Sequence, residues 1–298
     1  MRVVTLLPSA TDIVTAFGVD PVGVSHECDH PAPAVTESRI DATASSRAID
    51  RQVLQAERNG GVYAIDLDRL EALDPDLIVT QGLCDVCAVD RVLVTEAVET
   101  LELDCSVLTT DPHSLDDVRE DIQRIGEAIG VTETAATVQK TFDERIENVK
   151  ATTADASGRP TVAVLDWLEP IMTAGHWVPE LVEIAGGEPA FVAERSIPRS
   201  FEAIIAADPA VIVIAPCGFA IEQTAANRDE LTSREEYDQL RAVQSDSVYA
   251  MDGDRLLHRP GTTLADTAEQ LGKLLHPALC GQPDEDLAVG FDQLPPAQ

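Results

Sequence analysis

Leu73-Asp74-Pro75-Asp76-Leu77-Ile78-Val79-Thr80 packs a helix end, a breaker and a buried strand into one short stretch. Proline has no amide proton and restricts the residue before it, so the helix predicted over Leu70–Leu73 stops there. Leu77–Thr80 is apolar and rich in branched side chains, the pattern of a strand covered on both faces. The phrase returns as Ala206-Ala207-Asp208-Pro209-Ala210-Val211-Ile212. Asp68 precedes Pro75 by the same seven residues that separate Glu202 from Pro209, and each strand opens into a loop with a cysteine, Cys84 or Cys217. One recurrence over this distance marks two similar lobes, not a stacked array.

The rest of the chain extends the pattern outward. Val3–Leu7 reads as a strand, and Pro8-Ser9-Ala10-Thr11-Asp12 as a turn feeding a helix that Ser9 or Thr11 caps. Val22–Val24, Cys105–Leu108, Thr161–Leu165, Val211–Ala215 and Val248–Met251 read as further strands. Val89–Leu101, Pro179–Ala185, Phe201–Ala206 and Thr263–Leu275 read as helices. Strands alternating with helices predict an α/β fold with parallel sheets. Between Ser114 and Lys150, Ile122, Ile125, Ile129, Val138, Phe142, Ile146 and Val149 recur at helical spacing, with Gly130 the one point of interruption. The expected division is an N-terminal lobe over 1–113, a connecting helix over 114–152, a C-terminal lobe over 153–280 and a mobile tail over 281–298.

Acidic residues number 53 against 21 basic ones, a net charge of −32 spread along all 298 residues. Only Lys140, Lys150 and Lys273 are lysines. Such a surface repels itself unless salt screens it and resembles that of proteins from salt-loving organisms. Nucleic acid is excluded as a partner, because phosphate contacts need clustered cations. No apolar run reaches membrane-spanning length. The start, MRVVTLLPSATDIV, passes directly into a strand with no apolar leader segment. The expectation from it is a cytoplasmic protein, or an extracytoplasmic one if the chain is processed or exported otherwise.

Taken together, Leu6-Leu7-Pro8-Ser9-Ala10-Thr11, the two proline-strand phrases and the long helix resemble the helical-backbone substrate-binding proteins of ABC importers for cobalamin, haem and ferric siderophores, closest to the cobalamin branch. The resemblance covers about Arg2 to Pro277. It implies two Rossmann-like lobes joined by one long helix, with a ligand cleft between them. It further implies a cobalamin or iron-chelate ligand and an ABC permease as partner. In the family one acid on each lobe meets the transporter, and the matched Asp68 and Glu202 take that place.

In open α/β sheets ligands bind beyond the carboxyl ends of the strands. That rule selects the loops Pro8–Thr11 with Ser9, Ser25–His30, Gln81–Val89, Asp166–Trp177, Pro216–Phe219 with Phe219, and His258–Gly261. Trp167 and Trp177 suit either the wall of a flat macrocycle site or the core. His176, after Gly175, suits a metal or a ligand hydrogen bond. Arg259 suits a carboxylate, phosphate or amide group of the ligand, or a salt bridge. His26, Cys28, Cys84, Cys87 and Cys217 are soft ligands for a bound transition metal. Cys84-x-x-Cys87 equally suits a reversible disulfide or core thiols. The alternative function is a cytoplasmic metal- or tetrapyrrole-binding protein using those residues. The chain has no G-x-S-x-G, G-x-x-x-x-G-K-[ST] or H-E-x-x-H motif, so binding rather than catalysis is expected, with no cofactor required.

Overall fold

The structure is a computed structural model that describes residues 1–59, 61–82, 89 and 91–294. The chain divides into two compact units, one of Met1–Ala44 and Arg51–Thr141, the other of Ser45–Asp50 and Phe142–Gln298.

The first unit opens with β1 (Val3–Thr5), α1 (Pro8–Ala16) and β2 (Gly23–Val24). No element is assigned from sequence to 31–66, and here the chain forms β3 (Thr36–Ser38), α2 (Ser46–Glu57) and β4 (Tyr63–Ile65). β3 and β4 pair antiparallel in a small separate sheet. Then follow α3 (Leu67–Leu73), β5 (Leu77–Gln81), α4 (Arg91–Thr100), β6 (Ser106–Thr110), α5 (Leu115–Ile129) and α6 (Thr132–Thr153). The main sheet is four-stranded in the order β2-β1-β5-β6, all parallel. Val4, Leu6, Val35, Leu70, Ile78 and Val94 fill its core.

Two expectations about this unit are corrected. Neither Ser9 nor Thr11 caps α1: the cap is Leu7, with no side-chain hydrogen bond, and Pro8 opens the helix with its preset φ. Thr11 is occupied elsewhere, its Oγ1 lying 2.7 Å from that of Thr5. Nor is the stretch from Ser114 to Lys150 one helix. A Ser114/Asp117 capping box starts α5, and Gly130 ends it in the left-handed region at φ 84°. The chain then restarts as α6, within which the division between the units falls.

The second unit continues with β7 (Thr161–Leu168), β8 (Ile171–Thr173), α7 (Val178–Ile184), β9 (Glu188–Pro189), β10 (Ile197–Pro198) and α8 (Phe201–Ala207). After these come β11 (Val211–Ile214), α9 (Ile221–Ala226), α10 (Asp229–Thr232), α11 (Arg241–Gln244), β12 (Val248–Met251), α12 (Leu264–Leu275), α13 (Pro277–Cys280) and β13 (Ala288–Gly290). The sheet order is β10-β8-β7-β11-β12-β13, with β9 beside β7. β7, β11 and β12 are parallel, whereas β8, β10 and β13 run antiparallel to their neighbours. Leu165, Ile204, Ile212, Ile214 and Ala250 form its core.

The expected mobile tail is also corrected over its described part. β13 adds an antiparallel edge to β12, and Phe291 and Leu294 join the core. Burying those apolar side chains outweighs the polar composition around them.

The repeated phrase folds the same way twice. α3 and α8 each have seven residues, and each ends on an aspartate, Asp74 or Asp208, at φ 42°. The side chains of Asp66 and Ser200 cap their starts, accepting from the amides of Arg69 and Ala203. Leu70 and Ile204 take the matching buried position.

Among the described residues only Asp121, Asp166 and Asp252 are buried acids, so the negative charge lies on the surface. Raising KCl from about 0.1 M to about 1 M shortens the screening length from about 10 Å to about 3 Å. The thermal unfolding midpoint is expected to rise across that range. A flat or falling midpoint would show that self-repulsion does not limit stability.

Candidate functional site

Because the parallel strands of each unit share one direction, their carboxyl ends gather along one edge of the sheet. In the first unit that edge carries α1 after β1 and Ser25–His30 after β2. Ser9 is the second residue of α1 and is buried. The Ser25 amide donates to the Thr5 carbonyl at 2.9 Å and holds the second loop on the sheet. His26 Nδ1 lies 2.8 Å from Thr36 Oγ1, and its ring sits 5.4 Å from that of Tyr63. The Tyr63 hydroxyl donates to Glu27 Oε1 at 2.8 Å. Burial lowers the His26 pKa, opposed by the charge of Glu37. The imidazole is therefore neutral at pH 7, and its tautomer is set by what Nδ1 touches. Cys28 Sγ lies 3.2 Å from Thr11 Oγ1.

Of the five residues expected to hold a metal, Cys84 and Cys87 lie outside the described residues. His26 and Cys28 share one loop of the first unit, and Cys217 follows β11 in the second. Among the described residues, no group of three or more His, Cys, Asp or Glu side chains is placed to hold a metal ion.

The second unit's edge is more elaborate. Trp167, expected in a loop after its strand, instead lies inside β7, because pairing with β8 prolongs the strand. The register slips between Leu165 and Trp167, a bulge at Asp166. Bulges re-aim side chains and are common beside functional sites. The Asp166 carboxyl is buried and accepts from the Ser196 hydroxyl at Oδ2, and the Asp166 carbonyl accepts from the Cys217 amide at 3.1 Å. Burial pushes its pKa up, against the pull of His258 and Ser196. His258 Nε2 donates to the Ala215 carbonyl at 2.7 Å. The Trp167 ring packs on Phe219 at 5.2 Å, and both are buried. Asp166 Oδ1 and Trp167 Nε1 are buried without a hydrogen-bond partner among the described residues. Each such atom costs a fold about 1–3 kcal/mol.

Trp177 is buried, and its indole N–H donates to the Leu257 carbonyl at 3.0 Å. That carbonyl belongs to a π turn over Gly253–Leu257 just after β12. His176 adopts φ 53°, in the left-handed region, and stacks on Trp177 at 5.4 Å. Gly175 has no room for a side chain: a Cβ there would lie 2.4 Å from the Arg195 carbonyl carbon. Arg259 is pinned to its own turn, with Nε donating to the Asp254 carbonyl and Nη2 3.4 Å from the Asp254 carboxylate.

Nothing in the sequence pointed to Thr36, Tyr63 or Ser196, whereas Asp166 and His258 open two of the loops selected by the strand-end rule without being singled out as side chains. Asp68 and Glu202 stand exposed in the first turns of α3 and α8. A separate cavity of about 410 Å³, lined by Arg228, Tyr237, Asp246, Val248 and Phe291, lies at the amino end of β12. It is at the opposite end of that strand from the loops above.

Two α/β units with aromatic and polar groups at the carboxyl edges of their sheets define a binding protein of the two-domain class. The chain belongs to the periplasmic binding protein family, whose model matches residues 3–255. Its fold is also that of several solved structures. An ABC transporter substrate-binding protein from Listeria monocytogenes is 19% identical with a TM-score of 0.68, over 92% of this chain and 98% of that one. The periplasmic vitamin B12-binding protein of Vibrio cholerae is 22% identical with a TM-score of 0.65, over 92% and 96%. The apo periplasmic haem-binding protein RhuT of Roseiflexus is 19% identical with a TM-score of 0.68, over 93% and 98%. At these identities the likeness concerns the fold. No curated protein matches the chain. Among the described residues no helix is long and apolar enough to cross a membrane.

Gly175→Ala forces a methyl group into the Arg195 backbone and is expected to cost about 1–3 kcal/mol, read as a lowered urea midpoint at unchanged slope. Full stability in the variant would mean that the loops part without strain.

Proposed function

We propose that the chain is the ligand-binding component of an ABC importer, acting outside the cytoplasm on a corrinoid of the cobalamin type. The observation that carries this reading is the second unit's carboxyl edge, where Asp166, Trp167 and Phe219 lie together in a fold of the periplasmic binding protein family. Large aromatic faces with a few fixed polar groups suit a broad, partly apolar macrocycle. The Vibrio cholerae relative, which binds vitamin B12, supports the ligand class by analogy.

A second reading, haem or another metal chelate, is favoured by one observation. The His26 ring is neutral through burial and has Nδ1 against Thr36, so Nε2 is the nitrogen left for a ligand's metal. Titration of the reduced protein in high salt with cyanocobalamin and with haemin separates the two. The corrinoid reading expects saturable, stoichiometric calorimetric binding of cyanocobalamin and no specific haemin spectrum. A haemin spectrum that His26→Ala abolishes, without corrinoid binding, would replace it with the second reading.

Asp68 and Glu202 are read as the transporter-facing acids, on the strength of their matched, exposed places on α3 and α8. The Asp68→Ala/Glu202→Ala variant should keep its ligand affinity and lose stimulation of the importer's ATPase. Undiminished stimulation would remove these residues from the contact.

A further inference from the structure

Asp166 and Trp167 are consecutive residues at the carboxyl edge of β7, and each buries a polar atom with no partner among the described residues, Oδ1 and Nε1. Burial of a polar atom is ordinarily matched by a hydrogen bond, and an unmatched one calls for an explanation. On a regular strand these neighbours would point to opposite faces. The slip in register between Leu165 and Trp167 lifts that alternation. Both residues contact the same segment after β11: the Cys217 amide donates to the Asp166 carbonyl, and the Phe219 ring packs on that of Trp167. The two atoms also differ in kind. An indole N–H only donates. The carboxyl of Asp166 already takes the Ser196 hydroxyl on Oδ2, which leaves Oδ1 as an acceptor.

We propose that Asp166 Oδ1 and Trp167 Nε1 form a subsite for a primary carboxamide of the ligand, the amide N–H donating to Asp166 and the amide oxygen accepting from Trp167. This rests on the reading of the protein as a corrinoid binder and deepens it. A corrinoid carries carboxamide side chains around its ring, whereas a haem carries carboxylates. A carboxylate could satisfy the indole but brings no N–H to donate to Asp166 Oδ1. The subsite therefore selects amide over acid. Both atoms are buried, so in this proposal the ligand group reaches them by displacing the Cys217–Phe219 segment, which contacts both residues. Gly218, at φ 74° within it, has open space around its Cα.

The test uses the full chain, cyanocobalamin and the cyanocobalamin monocarboxylates made by hydrolysing one carboxamide, with calorimetric affinities and unfolding midpoints measured side by side. Trp167→Phe removes the N–H together with the pyrrole part of a ring buried against Phe219, so it also leaves a small cavity. It should weaken cyanocobalamin binding roughly tenfold or more, while Phe219→Leu, which disturbs the same packing and keeps the indole N–H, should weaken it less. The wild type should prefer cyanocobalamin to at least one monocarboxylate, and Asp166→Asn should narrow that preference. A wild type that binds no corrinoid overturns the corrinoid reading and the subsite together. A wild type that binds, with Trp167→Phe binding as well, overturns the subsite alone. So does a Phe219→Leu variant that loses as much affinity as Trp167→Phe, because packing and not the N–H would then account for the loss.

Discussion

Parallel strands cannot be joined by a tight turn, and that single constraint organises each unit. Every parallel neighbour has to be reached by a crossover, usually a helix, so the strands joined this way point in one direction and their carboxyl ends share an edge. β1, β5 and β6 do this in the first unit, and β7, β11 and β12 in the second. The loops on that edge are released from the sheet's pairing demands. They can hold conformations that a core would refuse: a left-handed histidine, a π turn. The helix–proline–strand phrase is the device that sets the direction. An aspartate in the left-handed region stops α3 and α8, and proline forbids their continuation.

The acidic surface and the acidic site obey different physics. An exposed carboxylate is hydrated and screened, so its neighbours matter mainly through the summed field. Asp166 has lost that water. Its ionisation is governed by burial, by Ser196 and by His258, all within the second unit. Asp121 in the first unit shows the other outcome. Burial pushes its pKa up to about 6 even though Arg124 pairs with it at 2.7 Å. A buried acid with a built-in cation is explained by the fold, whereas one with an unmatched oxygen at a strand end is explained better by function.

That difference bears on how a binding protein trades stability for affinity. Polar atoms left unmatched in the free protein lower its stability, and the same atoms reward a ligand that supplies the missing partner. A site built this way discriminates by hydrogen-bond pattern more sharply than an apolar wall can. The aromatic pair Trp167–Phe219 supplies area, and the groups around it supply the pattern.

The sequence by itself determined the α/β class, the doubled architecture and the places of both proline-terminated helices. Each of those rests on local rules of periodicity, proline sterics and capping that a short window contains. It also pointed to His26, Trp167 and His176 as side chains at strand ends. It did not determine that Trp167 stands inside a strand, because that depends on pairing with β8. Nor did it show that 288–294 closes the second sheet, since a polar-looking tail is ordered by an edge it cannot foresee. The break at Gly130 was visible as a glycine but became a helix end only through its left-handed backbone. Tertiary structure alone decided that Asp166 and Trp167 are buried and unmatched. Whether a polar atom finds a partner depends on residues far apart in the chain, here Ser196, Cys217, Phe219 and His258, and no local pattern encodes their meeting.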